Sequence, residues 1–360
     1  MAERNYIGEK IWEISFCQYA ESDKQLFFCN QNNSLVYVSS GRPLNIFNTA
    51  TGTTEHEFLD PDFKNIDGSS ISLEKTNNGN EYFMFCVTNK SDYNKFDRNK
   101  SEVDWELESL GWSEVKGNHH YHRIFKVSLS SNKIIAFCET DMQFSDPLII
   151  ATSPDNKYVL TNNSYQVSIW AVSDLEHIAS YSFSFGDYCE VFIAPNSNIA
   201  FAFSNNGTID SWNLLNGRIV TRKPISDCND IILHSAFNPK KKLLACLTDK
   251  KIQFFNSDTF DRIKEFDCGI KSDDPNVNYR VNIRYEITFS TSGDYFLISD
   301  CKSVRLFDTS TFEQIKEYNQ FLKPIEDEWL KNNIPLTSIF DVDERSIFTA
   351  CFDGSVHKWE

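Results

Sequence analysis

The feature that most constrains this chain is a recurrence. A unit of four short apolar runs, separated by polar turns, repeats along its length, and the third run of each copy ends in an aromatic residue. The clearest copy is LIIATSPDNKYVLTNNSYQVSIWAVSDLEHIASYSF at 148–183, and VFIAPNSNIAFAFSNNGTIDSWNLLNGRIVTRK follows at 191–223. LHSAFNPKKKLLACLTDKKIQFFNSDTFDRIKEF begins at 233 and YEITFSTSGDYFLISDCKSVRLFDTSTFEQIKEY at 285. The marker aromatics are Phe47, Phe125, Trp170, Trp212, Phe255, Phe307 and Trp359, spaced by 78, 45, 42, 43, 52 and 52 residues. A basic period with added loop residues is the signature of stacked repeats, each one supersecondary unit. Seven markers imply seven units.

Within a unit the runs alternate with period two. In QVSIW, Val167 and Ile169 point one way while Gln166 and Ser168 point the other, as in a half-buried strand. Turn formers punctuate the runs: PDNK at 154–157, NNG at 205–207, DTST at 308–311 and DG at 353–354. The reading is all-β, with four short strands to a unit. Residues 25–59 make the first, around LFFCN, LVYVS, LNIFN and TEHEF. The second runs from ISLEK through EYFMFCVT, YHRIFKVS and KIIAFCE, with a polar insertion before its third strand. The last unit, LTSIFDVDE, RSIFTACF and SVHKWE, has only three strands. A missing fourth strand leaves an edge that proteins avoid. EKIWEISFC at 9–17 is the free strand near the other terminus, so Trp12 is expected beside SVHKWE.

These copies resemble WD40 repeats, in which four-stranded units form the blades of a propeller and the third strand commonly ends in Trp-Asp. The corresponding pairs here are Phe47-Asn48, Trp212-Asn213, Phe255-Asn256, Phe307-Asp308 and Trp359-Glu360. DGSVHKW at 353–359 is similar to the family's approach to its third strand, and FNPKKKLLACLTD and TSPDNKYVLTNN to its first two strands. The chain lacks the family's Gly-His pair, which leaves Asp249, Asp300 and Asp353 with a turn-forming role alone. The resemblance implies a seven-bladed WD40-like β-propeller closed by an N-terminal strand. It would be a single domain over 1–360, with insertions at about 89–119, 268–284 and 320–336.

Charge and cysteine usage narrow the function. A net charge of −16 opposes binding to nucleic acid, whose backbone demands Lys and Arg, and suits a basic protein segment instead. Ten cysteines stand singly, mostly in apolar runs, and fit buried free thiols of a reducing compartment. The opening MAERNYIGEKIWEIS has no apolar core of a secretory signal, and no apolar run is long enough to cross a bilayer. An intracellular protein is expected, in nucleus or cytoplasm.

No motif concentrates chemistry. His119, His120 and His122 lie close in sequence, but a closed metal site needs convergent ligands from elsewhere, and they read as part of a polar insertion entering a strand. No GxSxG and no GxxxxGK[ST] occurs. Lys240, Lys241 and Lys242 form a hairpin tip rather than a lipid site. Neither an enzyme, a metal nor a cofactor is implied.

The insertions carry the candidate binding residues. In a propeller, second-to-third strand loops and blade-to-blade loops emerge on one face. SEVDWELESLGW presents Trp105 and Trp112 there, and PIEDEWLKNN presents Trp329, as aromatic anchors for a partner. Asp273 and Asp274, with Asp249, Asp300 and Asp353, would make the central mouth acidic. The leading expectation is a non-catalytic interaction scaffold that joins other protein subunits in a complex, a basic segment being one mode of contact. The alternative is a reader of a basic or modified peptide at the acidic mouth.

Overall fold

Among the described residues of the computed structural model, the alternating runs form 28 strands. It describes residues 10–15, 24–29, 34–39, 45–48, 50–57, 66–75, 81–89, 120–128, 131, 133–140, 149–153, 155–163, 166–182, 188–194, 198–204, 207–214, 216, 218–224, 232–248, 250–267, 285–300, 303–319, 335–341, 343–351 and 355–360. The first strand, β1 (Lys10–Ser15), precedes the first complete unit. The first sheet holds β2 (Lys24–Cys29), β3 (Ser34–Ser39), β4 (Asn45–Asn48) and β5 (Thr54–Glu57). The second holds β6 (Ile66–Lys75), β7 (Glu81–Asn89), β8 (His120–Ser128) and β9 (Lys133–Thr140). The third holds β10 (Ile149–Thr152), β11 (Tyr158–Asn163), β12 (Gln166–Ala171) and β13 (His177–Ser182). In the fourth are β14 (Tyr188–Ile193), β15 (Ile199–Ser204), β16 (Thr208–Asn213) and β17 (Ile219–Pro224). The fifth contains β18 (Ile232–Asn238), β19 (Leu243–Thr248), β20 (Lys251–Asn256) and β21 (Arg262–Asp267). The sixth contains β22 (Glu286–Phe289), β23 (Tyr295–Ser299), β24 (Val304–Asp308) and β25 (Gln314–Tyr318). β26 (Pro335–Phe340), β27 (Ile347–Cys351) and β28 (Ser355–Trp359) make up the last unit.

Each sheet is a four-stranded antiparallel ladder in sequence order, except the seventh, whose order is β1-β28-β27-β26. β1 therefore supplies its outer strand, with Trp12 opposite Lys358 and Ile14 opposite Val356. The first strand of each sheet packs against the first strand of the next, from β2 to β26, and β26 packs in turn against β2.

The expectation of a seven-bladed WD40-like β-propeller closed by an N-terminal strand is corrected here. No sheet is closed into a circular or barrel arrangement: the seven ladders are separate, none shares a strand with another, and each keeps two edges. The physical reason lies in the hairpins. Four strands joined by tight turns satisfy one another's backbone, and the fourth strand faces outward, with charged residues beside its exposed aliphatics. In β21, for example, all but one residue is exposed.

The core lies between consecutive sheets. Phe201, Phe203 and Ile209 of the fourth sheet meet Leu244, Phe255 and Phe260 of the fifth. Phe254 and Ile252 of the fifth meet Phe296, Ile298 and Phe307 of the sixth. Leu297 and Tyr318 of the sixth meet Ile347 and Trp359 of the seventh. A second strand thus has neighbours on both faces, which explains why LLACLT of β19 is a continuous buried run without alternation.

Hairpins between third and fourth strands share one construction. The residue after the marker aromatic accepts turn amides through its side chain: Asn48 from Ala50 and Thr51, Asn256 from Asp258 and Thr259, Asp308 from Ser310 and Thr311. Four residues beyond it, Gly52, Leu175, Phe260 and Phe312 have positive φ and donate their amides back to the carbonyl of Asn48, Ala171, Asn256 and Asp308. A left-handed Leu or Phe costs about 1 kcal/mol, and packing offsets it, since Leu175 and Phe260 are buried and Phe312 lies 4.7 Å from Phe254 between ring centroids.

Candidate protein-interaction surface

Of the residues expected to bind a partner, Asp300 is the one within the described residues. It directly follows β23 and shapes the turn into β24. Its carboxylate accepts from the Ser303 amide at 2.8 Å and from the Arg305 guanidinium at 3.0 Å, and its own amide donates to the Ser303 carbonyl. The carboxylate is committed inside its own sheet. Trp105, Trp112, Asp249, Asp273, Asp274, Trp329 and Asp353 lie outside the described residues. So do the three insertions, apart from their strand-borne ends. The lysine run is an exposed hairpin tip, where Lys241 pairs with Asp294 at 2.7 Å and Lys242 with Asp258 at 2.6 Å. The Asp294 carboxylate raises the Lys241 pKa above its ordinary value, first through their hydrogen bond and then through its charge.

A surface feature missed by the sequence reading emerges from the ladder registers. Where third and fourth strands pair, one extra residue is inserted in the fourth strand close to the marker aromatic, a β-bulge. In β12·β13 the register steps from Ile169↔Ala179 to Trp170↔His177 and leaves Ile178 over. The same step leaves Val220 in β17, Ile263 in β21 and Ile315 in β25. In β9 the step lies two residues further along the ladder and leaves Ile135. These five are the exposed large aliphatics among the described residues, each 40–55 % accessible. A lone exposed aliphatic needs no explanation. Four at one structural position and the fifth two residues along, on the outer strands of five successive sheets, form an apolar array. The sequence signal is a β-branched aliphatic eight residues after Trp170, Trp212, Phe255 and Phe307.

Polar groups brace the strands that carry this array. Arg222 of β17 donates to both carboxylate oxygens of the buried Asp210, at 2.8 and 2.7 Å. Gln253 donates to Glu265 at 2.8 Å. That amide, followed by Lys251 and Arg262, lowers the Glu265 pKa below the ordinary carboxylate value. Lys223 reaches from β17 to Asp261 of the next sheet at 2.5 Å, and its ammonium holds the Asp261 carboxyl low. β17 and β21 are thus tied within their own sheets, and β17 to the next sheet as well.

Among the described residues, no group of three or more His, Cys, Asp or Glu side chains is placed to hold a metal ion. No helix among the described residues is long and apolar enough to cross a membrane.

No protein-family model and no curated protein matches the chain. Solved structures do: a chain of the "Crystal Structure of Mitotic Checkpoint Complex" superposes with a TM-score of 0.67 at 13% identity, over 100% of this chain and 94% of that one. The likeness shows a shared all-β repeat fold. With 1756 solved chains matching, the fold by itself selects no function.

Proposed function

We propose that this chain is a non-catalytic protein-interaction scaffold and a subunit of a multiprotein complex. The observation that carries this reading is the array of exposed aliphatics Ile135, Ile178, Val220, Ile263 and Ile315 on the outer strands. Apolar points separated by charged residues suit protein partners, because burial of each aliphatic contributes about 1–2 kcal/mol at an interface. The superposed chain comes from a structure titled as a complex, which supports a subunit role. Partners would be other protein subunits, with basic segments among them, given the net charge of −16. The reading treats 1–360 as one domain with insertions at about 89–119, 268–284 and 320–336, working in the nucleus or cytoplasm.

The test is a triple variant, Ile178→Asp, Val220→Asp and Ile263→Asp, purified from the native source beside the unaltered protein. These side chains are exposed, so the denaturation midpoint should hardly move. Loss of the co-purifying subunits is the expected result. An unchanged set of subunits, recovered with a normally folded variant, would remove the array from the interface.

A further inference from the structure

The exposed aliphatics of the outer strands differ in the charges beside them. Val220, Ile263 and Ile315 each lie between two like charges, one two residues before and one two residues after: Arg218 and Arg222, Asp261 and Glu265, Glu313 and Glu317. In the fourth sheet Arg222 is held by the buried Asp210. In the fifth both acids are committed within the protein, Asp261 to Lys223 of the neighbouring sheet and Glu265 to Lys251, Arg262 and Gln253.

The sixth sheet repeats the pattern of the fifth, with EQIKEY at 313–318 against DRIKEF at 261–266. Yet among the described residues neither Glu313 nor Glu317 has a hydrogen bond or ion pair through its side chain. The cause sits across the ladder. Glu317 falls opposite Arg305 as Glu265 falls opposite Gln253. In the fifth sheet the turn from second to third strand is closed by a neutral group, the Thr248 hydroxyl, which donates to the Lys251 carbonyl at 3.0 Å and accepts from its amide at 3.1 Å, so Gln253 is left to its glutamate. In the sixth sheet that turn is closed by Asp300, whose charge draws the Arg305 guanidinium to 3.0 Å and away from Glu317. Lys316, between the two glutamates, is engaged with the Glu360 carbonyl and lies 5.2 Å over the Tyr318 ring.

We propose that the outer edge of the sixth sheet, Ile315 between Glu313 and Glu317, docks a basic segment of a partner protein in which an aliphatic residue stands between two cations. The proposal rests on the scaffold reading above and names the occupant of one point of its array. Charge complementarity selects that occupant. Glu313 and Ile315 are exposed and Glu317 is half-buried, so incoming cations meet both carboxylates without displacing an internal partner. The same acids of the fifth sheet would first have to give theirs up. The net charge of −16 draws a basic segment to the molecule, and the uncommitted pair fixes where it settles.

Methyl NMR of the full chain with labelled isoleucines tests this with a defined probe, the end-blocked peptide Lys-Ser-Leu-Ser-Lys, and with Glu-Ser-Leu-Ser-Glu as its control. The Ile315 and Ile263 signals are assigned by their loss in Ile315→Val and Ile263→Val. The basic peptide should shift the Ile315 methyl saturably and the Ile263 methyl little, and the acidic control should shift neither. Glu313→Gln combined with Glu317→Gln removes no bond of the protein, so the other isoleucine signals should stay in place while affinity for the basic peptide falls about three- to ten-fold, the range for two surface ion pairs. Equal shifts at Ile263 and Ile315, no saturable shift at Ile315, or unchanged affinity in the double variant overturns the proposal. The probe needs no native subunit, so such a failure leaves the co-purification test of Ile178, Val220 and Ile263 standing, and a failure of that test leaves the peptide result standing.

Discussion

Gly293 offers the sharpest test of how neighbouring sheets are joined. It sits in the hairpin between β22 and β23 with φ of +80°, where an L side chain costs about 1 kcal/mol. A Cβ there would stand 2.6 Å from Asn238 Oδ1 and 2.8 Å from Nδ2. Asn238 ends β18 in the previous sheet and is buried. Its amide donates to the Gly293 carbonyl at 2.9 Å and accepts from the Lys241 amide at 3.1 Å. It cannot swing aside without giving up both bonds, a loss of about 1–3 kcal/mol. Gly293→Ala should therefore destabilise the protein by about 2–4 kcal/mol in urea denaturation followed by circular dichroism. In an Asn238→Ala background the methyl group has room, and the same substitution should cost only the backbone part, about 1 kcal/mol. Equal costs in both backgrounds would refute the claim that the Asn238 amide is what the glycine accommodates.

Two further outcomes follow from burial. Phe296 is fully buried and stacks on Phe307 at 4.9 Å with 4° between ring planes, so Phe296→Ala should cost about 3–5 kcal/mol in the same assay. Burial pushes the Tyr318 hydroxyl up to about 12. The folded protein then keeps a proton that the unfolded chain releases, so this group's contribution falls as pH climbs from the ordinary tyrosine value towards 12. Ultraviolet titration should show one tyrosine ionising late in the wild type and absent from the late phase in Tyr318→Phe.

The strands were legible because alternation and turn chemistry act locally. Each marker from Phe47 to Trp359 lies on a third strand, and Asn48, Asn256 and Asp308 after their markers cap the hairpins. The pairing of EKIWEISFC with SVHKWE was also legible, because a three-stranded last unit and one spare strand leave a single economical match. The closed arrangement was not: each ladder ends at its fourth strand, and strand counting alone does not distinguish separate open ladders from a closed sheet. The surface was read least well. Aromatics and acids in the long insertions stand out in the sequence, whereas Ile178, Val220, Ile263 and Ile315 look like ordinary strand aliphatics until a bulge turns them outward.

The pairing of β1 with β28 also sets an order of events during synthesis. Among the described strands β1 is made first and its partner last, about 340 residues later, which at about 5–20 residues per second is a wait of about 20–70 s. Six sheets can finish from consecutive segments while β1 stays without a ladder. A chain interrupted before β28 would thus expose two unfinished edges at once, one at each end, and present itself to proteases as incomplete however well its middle had folded. Once β28 emerges, the packing of β26 on β2 has already brought the two ends together, and the last pairing becomes a short search in place of a long loop closure.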